Sequence, residues 1–120
     1  MFYITKEFTF DAAHNLVKYH GKCEKLHGHT YRLRVTVVGE PNDEGMVIDF
    51  LELKEVVKEN VLKHLDHAYI NEIIEQPTAE YIAKWIYDRL KKLINNERRK
   101  LHEVVLWETP TSFVRYLEEK

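Results

Sequence analysis

One cysteine, three prolines and four glycines in 120 residues leave little that could staple or interrupt this chain. The lone Cys23 cannot close an intramolecular disulfide, so its thiol is either free for chemistry or simply buried. No apolar run approaches the roughly 18 residues that span a bilayer, and Met1-Phe2-Tyr3-Ile4-Thr5-Lys6 lacks the basic-then-apolar layout of a signal peptide. A cytoplasmic protein with no membrane partner is expected. A charge excess is also missing. The net charge of -2 offers no basic stripe for phosphates, so nucleic acid is not an expected partner and any anionic ligand must be met locally. No repeat, low-complexity tract or Pro/Gly/Ser-rich linker divides the chain, and residues 1–120 are read as one domain. With 44% hydrophobic and 32% charged residues, the composition is that of a globular protein.

What is present is strong periodicity. Phe2, Ile4, Phe8 and Phe10 share one parity, which predicts a strand with one buried face; Tyr31, Leu33, Val35 and Val37 alternate with Arg32, Arg34 and Thr36 in a second strand over Thr30–Val38. A short strand is expected at Met46–Ile48. Asp49, with Glu52 three residues on, reads as the N-cap of a helix ending near Leu65, with Phe50, Leu53, Val57 and Val61 on one face. Thr78 can cap a second helix in which Ile82, Ile86, Leu90 and Leu93 recur, closing at Asn95-Asn96. Strands at Leu101–Glu108 and Ser112–Leu117 follow, around Thr109-Pro110-Thr111. The order ββ-αα-ββ predicts an α+β domain, a mainly antiparallel sheet with two helices on one face. Apolar residues on the other face, such as Val38, Val105 and Trp107, suggest cover by a second subunit.

Between the first two strands runs a histidine- and lysine-rich connection, Asn15–Gly28, longer than a hairpin needs, and long loops tend to carry function. His27-Gly28-His29 leads into the second strand, where residues two apart point the same way, so both imidazoles can meet one ion. His14, at the end of the first strand, comes beside them if the strands pair antiparallel. Three neutral imidazoles suit zinc and leave one coordination position open for substrate. The alternatives are a solvated His-x-His pair, or a closed structural site in which Cys23 is the fourth ligand.

Lys22 and Lys25 flank Cys23, and positive charge favours thiolate, so Cys23 could act as a base. Asp66 beside His67 can orient an imidazole for proton transfer; equally, the pair could be a loop residue and a packing residue. Glu108 stands on the parity of Val104 and Leu106 and needs a partner there. The flat guanidine-like edge of a ligand would suit it, and a solvated strand end is the other reading. Lys18, Lys22 and Lys25, with His20, form a basic loop that could receive phosphates or simply face solvent.

In order along the chain, Phe10-Asp11-Ala12-Ala13-His14, Cys23-Glu24-Lys25-Leu26-His27-Gly28-His29, Met46-Val47-Ile48-Asp49-Phe50, Leu65-Asp66-His67-Ala68-Tyr69-Ile70-Asn71, Pro77-Thr78-Ala79-Glu80 and Trp107-Glu108-Thr109 resemble the 6-pyruvoyltetrahydropterin and 6-carboxytetrahydropterin synthase family. The resemblance implies zinc on His14, His27 and His29, catalysis by Cys23, Asp66 and His67, and pterin anchoring by Glu108, with Thr78 and Lys22 as further substrate contacts. It also implies the tunnelling fold (T-fold), in which three subunits join their sheets and two trimers stack into a homohexamer with active sites at subunit borders. Three residues between the cysteine and His-Gly-His resemble the carboxytetrahydropterin branch of queuosine biosynthesis. The implied reaction is that of a lyase converting 7,8-dihydroneopterin triphosphate to 6-carboxytetrahydropterin, acetaldehyde and triphosphate. Animal-type pyruvoyl synthases have a longer gap, and a branch forming a hydroxymethyl pterin replaces the cysteine with glutamate, so the presence of Cys23 argues against that branch.

Overall fold

The alternating stretches become two long strands, β1 (Phe2–His14) and β2 (His27–Gly39), paired antiparallel along their whole length in the computed structural model, which describes residues 1–118. Residues 119 and 120 of the expected domain lie outside the described residues. Both strands outrun the predicted ones because pairing carries them past their apolar cores into the histidines. Phe10 is buried, as its parity predicts, but Phe2, at the strand's free end, is exposed.

Along its other edge β2 pairs antiparallel with β4 (Arg99–Thr109), which in turn pairs with β5 (Ser112–Tyr116). Gly39 permits the close start of the β2–β4 pair, because a side chain there would collide with the Arg98 carbonyl and with Arg99. Two shifts in register matter. The first, between Thr36 and Val37, leaves His102 as the extra residue; the second, between Trp107 and Thr109, leaves Glu108 unpaired against β5. Such bulges re-aim the side chain they carry.

A two-residue strand that periodicity could not reveal, β3 (Ala68–Tyr69), pairs parallel with Ala12 and Ala13. The sheet order is β3-β1-β2-β4-β5, mixed rather than wholly antiparallel, and the architecture is α+β.

The first helical run is α1 (Phe50–Val57), a π turn over Lys58–Leu62, and α2 (Lys63–Leu65). Leu53, Val57, Val61 and Leu65 are all fully buried. A spacing of four drifts by about 40° per step in a straight α-helix, and the wider π turn returns the later residues to the buried face. Asp49 caps the start by accepting from the Leu51 N–H at 2.9 Å. Phe50, expected on the buried face, is exposed, because it precedes the first turn that faces the sheet.

In the second helix, α3 (Ala79–Ile94), Ile82, Ile86 and Leu90 are buried as predicted, but Ile94 replaces Leu93, which is exposed. The step of four from Leu90 keeps to the buried stripe.

The expected strand at Met46–Ile48 is not formed. Val47 and Ile48 are both buried, which alternation forbids, and the Val47 carbonyl accepts from Arg98 at 3.1 Å instead of from a neighbouring strand. On the outer sheet face, Val38 and Val105 are only 3% and 2% exposed within the single chain, so they do not by themselves require a second subunit. That face is laced by Glu7 with Arg34, Glu103 with Arg115, and Arg32 stacked 3.8 Å from the Trp107 ring. No described helix is long and apolar enough to cross a membrane.

Candidate metal centre and proton-transfer groups

Strand register decides where the histidines meet. His14 lies directly opposite His27, and Ala12 opposite His29, so the three imidazoles share the helix-facing side of the sheet at one end. Their ring centroids are 4.8 Å (His14–His27), 5.2 Å (His14–His29) and 4.8 Å (His27–His29) apart. Glu108, on the inward parity of Val104 and Leu106, joins them: ligand atoms of His14, His27, His29 and Glu108 all lie within 4.8 Å of one another.

Second contacts orient two of the rings. His14 Nδ1 lies 2.8 Å from the Pro77 carbonyl, and because a carbonyl only accepts, Nδ1 carries the proton and Nε2 presents a lone pair. His27 Nδ1 likewise donates to the Lys25 carbonyl at 2.9 Å. Metal-binding histidines characteristically use the other ring nitrogen in this way.

His14 is only 2% exposed, and Nε2 of both His14 and His29 is buried without a hydrogen-bond partner. Both approach Glu108 Oε1, at 3.3 Å and 3.1 Å, without the geometry of a hydrogen bond. Burial works against charge on His14, but the Glu108 carboxylate and the Pro77 carbonyl outweigh it and raise its pKa. Burial lowers that of His29. His14 beside it holds Glu108 below the usual carboxylate range, against the cost of burial. Orphaned lone pairs on converging imidazoles, with an adjacent carboxylate, fit a divalent cation, and the nitrogen-rich donor set suits zinc.

Beneath the cluster lies a group that sequence reasoning missed. The Tyr31 hydroxyl is fully buried and unpartnered, and burial raises its pKa, with Glu108 and Glu24 adding to the effect. Its alternation with Leu33 marked it only as core.

The proton-transfer residues are placed differently. His67 Nδ1 is 3.1 Å from Asp66 Oδ1, and the pair is held at the β1 edge: Asp66 accepts from the Asp11 N–H at 3.0 Å, and the His67 N–H donates to the Asp11 carbonyl at 2.6 Å. His67 adopts a positive φ of 62°, uncommon for a residue with a Cβ. It lines a shallow groove at the strand ends with Asp11, Ala13, Gly28 and Thr30, and Ala12, His29 and Ala68 line the same groove.

Cys23 is exposed on the β1–β2 connection, its Sγ 3.6 Å from the Val17 carbonyl. It belongs neither to the histidine group nor to the Asp11, Asp66 and His67 group. Cys23 therefore does not stand beside the imidazoles as a fourth ligand in this structure; the group that does approach them is Glu108. Nor does one chain bring Cys23 to Asp66 and His67.

Lys22 is exposed beside a turn in which His20 and Gly21 both have positive φ. Thr78 caps α3, its Oγ1 accepting from the Tyr81 N–H at 3.2 Å.

Comparison with known proteins agrees in sequence and in fold. The family model described as 6-pyruvoyl tetrahydropterin synthase matches residues 3–119. A 6-carboxy-5,6,7,8-tetrahydropterin synthase from Haemophilus influenzae is 42% identical, over 98% of this chain and 100% of that protein. A dihydroneopterin monophosphate aldolase from Pyrococcus furiosus is 48% identical over 83% of each chain. The solved Caenorhabditis elegans 6-pyruvoyl tetrahydropterin synthase superposes with a TM-score of 0.83 at 28% identity, covering 98% of this chain and 96% of that one.

Proposed function

Because the chain belongs to the 6-pyruvoyl tetrahydropterin synthase family, we propose that it is a zinc-dependent 6-carboxy-5,6,7,8-tetrahydropterin synthase of the queuosine pathway. It would convert 7,8-dihydroneopterin triphosphate to 6-carboxytetrahydropterin, acetaldehyde and triphosphate. The observation that carries the reading is the convergence of His14, His27 and His29, with two of their Nε2 atoms buried and unpartnered.

In this reading the three imidazoles hold zinc. Bound there, the ion would act as a Lewis acid that makes neighbouring carbon-bound protons of the substrate side chain more acidic. Cys23 removes such a proton, and His67, oriented by Asp66 at 3.1 Å, returns or relays it. Glu108 faces the imidazoles through Oε1 and offers its carboxylate to the amino-pyrimidine edge of the pterin, fixing the ring relative to the metal. The Thr78 hydroxyl accepts from Tyr81 and keeps its own proton to donate to substrate. Lys22 meets the phosphate tail as a point charge.

Asp66 and His67 sit at the β1 edge, apart from Cys23. In this reading a second copy of the chain completes the proton-transfer set, within the homohexamer with active sites at subunit borders that the family resemblance implies. Incubating the zinc-loaded protein with dihydroneopterin triphosphate and identifying every product tests the activity. A pyruvoyl product would move the protein to the sister reaction, and no turnover of any pterin would overturn the reading.

The 48% identity to the Pyrococcus furiosus aldolase favours a second reading, cleavage of dihydroneopterin monophosphate at the same metal. Aldol cleavage also needs a base and a Lewis acid, but Cys23 stands where the hydroxymethyl-forming branch has glutamate, which weighs against this reading. Supplying the monophosphate separates the two readings, since a phosphorylated two-carbon aldehyde appears only in the second.

A further inference from the structure

The connection between β1 and β2 carries the thiol, yet it contains no regular element beyond one isolated bridge between Tyr19 and Lys22. Its position depends on side chains from the segment between β3 and α3. Asn71 brackets Asn15, accepting from its N–H at 3.0 Å and donating to its carbonyl at 2.8 Å.

Gln76 does more. Its Oε1 accepts from the Val17 N–H at 2.8 Å and the Lys18 N–H at 3.0 Å, and its Nε2 donates to the Lys18 carbonyl at 2.8 Å. One side-chain amide thus satisfies three main-chain groups, as a neighbouring strand would. The Val17 carbonyl, in the peptide between those two N–H groups, is the group against which Cys23 Sγ rests. The next residue, Pro77, presents the carbonyl that orients His14. Gln76-Pro77 therefore ties the loop holding the thiol to the most buried imidazole of the cluster.

We propose that Gln76 is a positioning residue for Cys23: its amide clamp on Val17 and Lys18 holds the peptide that seats the thiol, at a fixed distance from the metal cluster. This rests on Cys23 acting as the base, and it assigns Gln76 no contact with substrate. Truncation frees the peptide and lets the thiol drift. A displacement of about 1 Å in a catalytic group lowers turnover by roughly a hundredfold.

The test uses the zinc-loaded full chain with Gln76→Ala and Gln76→Glu. The glutamate variant can still accept from both N–H groups but cannot donate to Lys18. Turnover of dihydroneopterin triphosphate is expected to fall about 10- to 100-fold in Gln76→Ala, with KM and zinc content close to wild type, and to recover partly in Gln76→Glu. In a Cys23→Ala background the Gln76→Ala change should lower the residual rate no further. Because Cys23 is the chain's one cysteine, its alkylation by iodoacetamide reads the thiol's surroundings directly, and that rate should shift in both variants. An equal loss of turnover with and without Cys23, or an alkylation rate unchanged from wild type, overturns the proposal. If the wild-type protein turns over no pterin, the functional reading fails, and the alkylation rate still decides whether Gln76 seats the thiol. Should Gln76→Ala not fold, Gln76→Glu carries the same comparison.

Discussion

The three imidazoles and the groups proposed for proton transfer occupy opposite mechanical settings. His14, His27 and His29 stand on two strands paired residue for residue, and the two orienting carbonyls come from Pro77 and Lys25. Cys23 and His67 stand on connections, exposed, the second in a left-handed backbone conformation. Groups that must hold an ion need converging lone pairs at fixed distance, and a ladder of backbone hydrogen bonds supplies that within one chain. Groups that move protons must reach the substrate from an open side, and here they are left at the surface, where a neighbouring copy can complete the set.

The sharpest way to break this comparison is to remove an imidazole. His27→Ala should weaken zinc binding by at least about a hundredfold and abolish turnover, read by metal analysis after dialysis; zinc retained at full occupancy would mean that the ion sits elsewhere. His27 is preferred to His14, whose loss would also leave the buried Pro77 carbonyl without its partner.

Removing the thiol should affect only the second region. Cys23→Ala is expected to keep its zinc while turnover falls by about 10²- to 10⁴-fold, the usual weight of a general base. Mixing Cys23→Ala with His67→Ala subunits should restore part of the activity if sites span two copies, and strict additivity of the two inactive preparations would argue for sites within one chain.

Glu108 lies between the regions. Glu108→Gln should keep the metal and raise KM about 10- to 100-fold, the size of a lost charge-assisted hydrogen bond; loss of zinc instead would make the carboxylate a ligand. The smallest effect is expected at Thr78. Its hydroxyl caps α3, so Thr78→Ala should cost about 1 kcal/mol of stability. In a thermal melt that is a fall of about 3–6 °C. A larger effect on KM than on stability would favour its role toward substrate.

Much of this was legible in the residues. Two-residue alternation located β1, β2, β4 and β5, and the caps at Asp49 and Thr78 marked the helix starts, because both signals are local. His27-Gly28-His29 declared a shared side for the same reason. Less legible was anything set by long-range pairing. Parity put Glu108 on the apolar face, but its approach to His14 and His29 depends on the pairing of β4 with β2, and the Pro77 contact to His14 spans 63 residues. The π turn that keeps Val61 and Leu65 buried, and the failure of Met46–Ile48 to become a strand, both answer to neighbours that no local window contains.

The sequence by itself determined which faces are apolar, which side chains could offer metal-binding or proton-transfer chemistry, and the order of the main elements, since side-chain polarity and backbone preference act within a few residues. Only the tertiary structure decided that His14 comes opposite His27, that Glu108 rather than Cys23 approaches the imidazoles, and that Asp66 and His67 lie apart from the thiol. Those outcomes depend on strand register, and register is the sum of many pairings, none of which is specified until the chain has folded back on itself.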